Sequence, residues 1–134
     1  MEHVFGYTAF NDVTARDLQT AHVQWFLGKS LDGAAPTGPV VVHRSAMPSP
    51  ELIRVRCWVN GELRQDGHLG QLIFDVPTLI ETLSRGMTLL PGDMIATGTP
   101  KGVGAGFEPP RFLAAGDEIA IEVSEAGRLV NRVA

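Results

Sequence analysis

The side chains able to do chemistry in this sequence gather near its start and recur once near residue 100. Asp12 stands at the end of a strand-like run, a position from which loops commonly present functional groups. Arg16 and Gln19 are three residues apart and share one face of a predicted helix. Together they could grip a carboxylate, the guanidinium as a two-pronged fork and the amide as a further donor. Lys29 is one of two lysines against nine arginines and lies in Gly28-Lys29-Ser30. The loop Thr97-Gly98-Thr99-Pro100 offers hydroxyls and a flexible backbone, with the other lysine, Lys101, directly after it. Each has a plainer alternative. Asp12 could cap a helix. Arg16 and Gln19 could form a solvated helix face, and Lys29 could merely flank a turn. A lone carboxylate is also a weak site for a hard cation such as Mg²⁺, which takes one or two carboxylates and completes its shell with water and substrate oxygens.

Competing chemistries fail on spacing. A phosphate-binding P-loop ending at Gly28-Lys29-Ser30 needs a glycine where Val23 stands. A dinucleotide fingerprint through Gly102 and Gly104 needs a glycine at Phe107. There is no Gly-x-Ser-x-Gly elbow and no His-x-x-x-His pair. His22 falls on the apolar helix face and reads as a packing residue. Cys57 is the single cysteine, so neither an internal disulfide nor a thiolate zinc cluster can form.

The elements that must position these residues follow from local pattern. Val4–Phe10 reads as a strand. Thr14-Ala-Arg-Asp17 resembles a capping box, predicting a helix to His22 or Trp25 with Ala15, Leu18, His22 and Trp25 facing the core. Residues 28–39 read as a loop and 40–43 as a short strand. Ile53–Val59 alternates as a half-buried strand, Asn60-Gly61 is a strong hairpin signal, and Glu62–Asp66 should return antiparallel. Val76–Arg85 is an amphipathic helix ended by Gly86. Met94–Ala96 reads as a short buried strand, and Glu118–Val123 with Leu129–Val133 as another hairpin across Ala126-Gly127. The expected fold is a β-rich mixed α/β single domain over residues 1–134, mainly antiparallel, with two short helices.

Composition supports this. Glycine and proline make up 24 of 134 residues, which suits a turn-rich β protein. Hydrophobic residues are 44% and charged residues 19%, which excludes a disordered chain. The net charge of −4 argues against a nucleic-acid surface, though not against a local positive pocket. With no membrane-length apolar run and no apolar stretch after Met1, the expectation is a cytoplasmic protein without membrane or nucleic-acid partners.

The blocks carry a resemblance. Phe-Gly-Tyr-Thr-Ala-Phe-Asn-Asp-Val-Thr-Ala-Arg-Asp-Leu-Gln over residues 5–19 resembles the signature of the fumarylacetoacetate hydrolase family. Gly28-Lys29-Ser30-Leu31-Asp32, Val59-Asn60-Gly61-Glu62-Leu63-Arg64-Gln65-Asp66, Leu90-Pro91-Gly92-Asp93 and Thr97-Gly98-Thr99-Pro100-Lys101-Gly102 continue it in order. The Asp12-to-Lys29 spacing is most similar to the bacterial branch of 5-carboxymethyl-2-hydroxymuconate isomerases and acylpyruvate hydrolases. The resemblance implies a β-sandwich or roll and a Mg²⁺ or Mn²⁺ enzyme, commonly a dimer, acting on 2-oxo or 2,4-dioxo acids. It implies C–C bond hydrolysis, isomerisation or decarboxylation in aromatic-compound or amino-acid catabolism. It matches Asp12 to a metal ligand, Lys29 to an active-site lysine, and Arg16, Gln19 and the Thr97, Gly98, Thr99 loop to substrate-carboxylate contacts.

The family also uses a Glu-x-Glu pair, upstream of the Phe-Gly-Tyr strand, as its other metal ligands. None of the eight glutamates here stands two residues from another. The expectation is a catalytic domain truncated at its N-terminus, with the metal weakly held or absent. The alternative is a catalytically inactive member of the same fold that binds a ligand or dimerises.

Overall fold

A computed structural model describes residues 1–134. Its strands are β1 (Gly6–Phe10), β2 (Thr37–His43), β3 (Arg54–Val59), β4 (Glu62–His68), β5 (Glu118–Val123) and β6 (Gly127–Arg132). Its α-helices are α1 (Arg16–His22), α2 (Phe26–Lys29) and α3 (Val76–Ser84). The strands form two antiparallel sheets, β1-β2 and β4-β3-β5-β6. The smaller sheet packs on β5 and β6. Between them lies a core of Ala9, Ile53, Cys57, Ile119, Ile121, Val123 and Ala126. This is the mainly antiparallel β architecture expected.

The β3–β4 hairpin forms where Asn60-Gly61 places it. Both turn residues have positive φ, 51° and 80°, as a type I′ turn requires. The Asn60 side chain also ties the turn to β5: its Nδ2 donates to Asp117 and its Oδ1 accepts from the Glu118 backbone. The hairpin is not regular, however. Cys57 pairs with Gln65 and Trp58 with Leu63, so Arg64 is an extra residue in β4. Such a bulge re-aims the side chains beside it. The β5–β6 hairpin and α3 also form as read, α3 with Asp75 accepting from the Thr78 backbone as its N-cap.

Four expectations need correction. The capping box is absent: α1 starts at Arg16, and the Thr14 hydroxyl donates to the Asp12 carbonyl instead. The helix stops at His22, the nearer of its two expected ends, and Val23 takes φ 60°, an unfavourable conformation for a β-branched residue, but α2 then carries helix to Lys29 where a loop was expected from residue 28. His22 and Trp25 are exposed, whereas Gln19 is the buried residue of α1. The reason is that α1 packs on α2, so the turn facing Gly28 is the one buried. Residues 94–96 form no strand, since no ladder partner lies beside them, and Met94 is exposed. No helix is long and apolar enough to cross a membrane.

Candidate active site

One wall of the site is built just after β1. The Asn11 and Val13 backbone N–H groups donate to Pro36 and Ala34, holding this stretch against the segment that leads into β2. The Ala15 N–H donates to the Gly28 carbonyl. Gly28 must be a glycine: a Cβ there would lie 2.8 Å from the Ala15 oxygen and 2.9 Å from the Gln19 backbone nitrogen. That close approach brings Lys29, at the end of α2, to Asp12. The Lys29 ammonium donates to Asp12 Oδ2 at 2.5 Å. The Asp12 carboxylate is therefore an ion-pair partner rather than a helix cap. Two further ammonium hydrogens stay available.

On the same wall Arg16 Nη1 donates to Gln19 Oε1 at 2.6 Å. Gln19 is only 7% exposed, and its Nε2 has no partner. Its oxygen is thus committed to orienting the Arg16 guanidinium.

A second wall is the loop after residue 96, seated on β4. Gln65 Nε2 donates to the Thr99 hydroxyl and to the Pro100 carbonyl, both at 2.7 Å. Gly67 leaves room for the Pro100 ring, since a Cβ would sit 3.0 Å from it. At Gly102, where φ is 107°, a Cβ would stand 1.9 Å from the Arg64 carbonyl oxygen. Farther along, Arg111 forks the Glu62 carboxylate at 2.6 and 2.7 Å. The Arg111 and Arg64 guanidiniums both lie over the Phe107 ring. Hydrogen bonding from Arg111 holds the Glu62 carboxyl below its ordinary range.

Asp12, Arg16, Lys29, Thr97, Gly98 and Thr99 line one open cleft of about 2310 Å³; Gln19 does not. Gln19 lies outside that lining and reaches it through Arg16. The cleft floor is apolar and reaches Ile53, Ile119 and Ile121 of the core. Five basic side chains line it (Arg16, Lys29, Arg64, Arg85 and Arg111) against three carboxylates (Asp12, Asp17 and Asp93). Four of these cations are already paired, Lys29 with Asp12, Arg64 and Arg111 with Glu62, and Arg85 with Glu81; Arg16, held by the neutral Gln19 amide, has no carboxylate partner and is the cation open to an anionic ligand. Tyr7 and Cys57 also line it, and burial pushes both of their protons toward retention, so neither is poised as a nucleophile.

Sequence reasoning missed Gln65, Arg64 and Arg111. Arg64 and Gln65 lay within a recognised hairpin, but the bulge that aims Gln65 at the loop has no local signature.

The arrangement does not fit a divalent cation by its own residues. Asp12 is a single carboxylate already paired with Lys29. Nowhere do three His, Cys, Asp or Glu side chains come together as a metal site.

Residues 1–134 match the model of the fumarylacetoacetate (FAA) hydrolase C-terminal region. The chain is 58% identical over 132 residues to oxaloacetate tautomerase YisK of Bacillus subtilis, covering 98% of this chain and 44% of that protein. Among solved structures, a fumarylacetoacetate hydrolase from psychrophilic Exiguobacterium antarcticum superposes with a TM-score of 0.95 at 55% identity, over 98% of this chain and 47% of that one. A 5-carboxymethyl-2-hydroxymuconate delta-isomerase from Mycobacterium smegmatis gives 0.88 at 42% identity, over 98% and 49%. The chain thus spans about half the length of these relatives.

Proposed function

Because the chain belongs to the fumarylacetoacetate hydrolase family, we propose that its cleft binds the carboxylate and neighbouring oxo group of a small 2-oxo or 2,4-dioxo acid. The reaction class is one that passes through the enolate of that acid: tautomerisation or other isomerisation, C–C bond hydrolysis, or decarboxylation. What supports this reading is that the Arg16 guanidinium, held by the Gln19 amide, has no carboxylate partner and lines the same cleft as Lys29 and Thr99. Arg16, held by Gln19, forks the carboxylate. Lys29, anchored through one hydrogen on Asp12, turns its remaining donors toward the oxo oxygen, where negative charge develops as the enolate forms. Fixed donors aimed at developing charge lower the barrier because they need little reorganisation during the reaction. The tautomerase relative at 58% identity supports enol–keto interconversion as the first activity to assay.

Family members generally use a divalent metal, Mg²⁺ or Mn²⁺ in this reading. Asp12 alone supplies one carboxylate, so the 134-residue chain should hold Mg²⁺ weakly. A second reading, a ligand-binding or dimerisation domain without turnover, is favoured by that incomplete ligand set. Ile73, which is 92% exposed, and the exposed Phe74, Trp25 and Phe26 fit association, with a homodimer as its simplest form. Cytoplasmic small organic acids, rather than nucleic acids or membranes, are the proposed partners.

Two measurements on the purified chain test the reading. Oxalate, a rigid mimic of the enolate, should bind saturably in a calorimetric titration, and Mg²⁺ alone should bind weakly. Enol-oxaloacetate conversion is then followed by absorbance with and without Mg²⁺. Oxalate binding without turnover selects the ligand-binding reading; no oxalate binding overturns both the enzymatic and the ligand-binding reading.

A further inference from the structure

We propose that Gln65 is a positioning residue: its amide makes the Thr99 hydroxyl an acceptor, leaving the hydroxyl's own proton free for an anionic ligand in the cleft. This rests on the carboxylate-binding reading above.

The inference begins with the Pro100 carbonyl, which can only accept a hydrogen bond. It lies 2.7 Å from Gln65 Nε2, so the amide must present its NH₂ group on that side. The same nitrogen lies 2.7 Å from Thr99 Oγ1. An NH₂ group has two hydrogens and no acceptor capacity, so one goes to Pro100 and the other to the Thr99 oxygen. The hydroxyl is thereby held by a lone pair, and its hydrogen has no acceptor within the protein. Thr99 is exposed and lines the cleft, so that hydrogen is available to a ligand acceptor. A carboxylate or enolate oxygen can use it; a ligand donor cannot. With Gln65 removed, the hydroxyl could turn and donate to Pro100 instead, and the cleft would lose a donor.

Three features keep this geometry in place. The extra residue Arg64 sets the register that pairs Gln65 with Cys57. Gly67 admits Pro100 against β4, and Gly102 admits the loop backbone against Arg64.

The test is a double-mutant cycle on the full 134-residue chain, read as oxalate affinity by calorimetry. Gln65→Met and Thr99→Val should each weaken oxalate binding, roughly tenfold for loss of a hydrogen bond to a charged ligand. Combined, they should cost no more than Thr99→Val alone. Thr99→Ser keeps a hydroxyl and should rescue the loss seen in Thr99→Val and restore the cost of Gln65→Met. A purely structural role would lower affinity equally in the Thr99→Val background, and that result overturns the proposal. So does unchanged affinity in Gln65→Met. Should Gln65→Met fail to fold, Gln65→Glu serves the same cycle, since a carboxylate only accepts and draws the Thr99 proton away. A Gln65→Glu cost that persists in Thr99→Val would be charge repulsion and also overturns it. If oxalate binding responds to Arg16→Lys but not to Gln65, only this inference fails. If the wild-type chain does not bind oxalate, the carboxylate reading fails with it.

Discussion

The two walls of the cleft are held by different means. The α1–α2 wall rests on close packing at one glycine and on two side-chain pairs within residues 12–29. Its outer side is apolar and exposed, with Val23, Trp25 and Phe26 open to solvent. The Thr97–Thr99 wall has no regular structure, but it is fastened to a strand of the four-stranded sheet by Gln65, Gly67, Gly102 and the Glu62–Arg111 pair. An irregular loop can therefore be the better-positioned wall when it borrows the rigidity of a hydrogen-bonded strand. A helical wall of four to seven residues per element depends on its few tertiary contacts, because isolated helices this short are not stable.

This contrast can be broken most strongly at Gly102. Gly102→Ala adds strain at φ 107° and drives a Cβ into the Arg64 carbonyl, so we expect a loss of about 2–5 kcal/mol in denaturant unfolding. Gly98→Ala is the control: its φ is 106° but nothing lies within 4 Å, so strain alone should cost about 1–2 kcal/mol. Equal losses at the two sites would show that the loop is not seated on β4.

On the other wall, Gly28→Ala forces α1 away from α2. The expected cost is about 1–3 kcal/mol, as for overpacking elsewhere. It should be accompanied by release of Lys29 from Asp12, seen as altered Lys29 side-chain NMR shifts, while Thr97–Thr99 resonances stay in place. Movement of both sets would mean the walls are coupled.

Arg16→Lys sharpens the comparison through binding. A lysine cannot fork a carboxylate, so oxalate affinity should fall by of order 1–3 kcal/mol with unfolding stability nearly unchanged. Unchanged affinity would place Arg16 on a merely solvated face.

The smallest expected effect is on acidification. Arg111 lowers the Glu62 carboxyl, and Arg54, forking Asp66 at 2.5 and 2.7 Å, lowers Asp66. Groups lowered in the folded state stabilise it fully above their ordinary range and lose that contribution as pH falls through the folded value. Both pairs are exposed, so the loss should be modest. It should appear as a declining denaturant midpoint in acid that is flattened in Glu62→Gln. An undiminished slope in that variant would show that the Glu62–Arg111 pair does not contribute to stability.

Much of this molecule is legible in its residues because the controlling physics is local. Asn60-Gly61 accepts positive φ at both turn positions, and the period-two pattern of Ile53–Val59 marks which side faces the core. Asp75 and Pro77 start α3 through a cap and a preset φ. The sequence blocks around Asp12, Arg16, Lys29 and Thr99 likewise suffice to place the chain in one family. Tertiary structure alone decided the rest. Gln19 is buried because a glycine nine residues later lets a second helix approach, and helical periodicity cannot show which face will meet that helix. Residues 94–96 are apolar and β-prone, but a strand exists only where a neighbour completes its hydrogen-bond ladder. Gln65 faces Thr99 because one extra residue in β4 shifts the register, and register belongs to the pairing of two strands rather than to either strand alone.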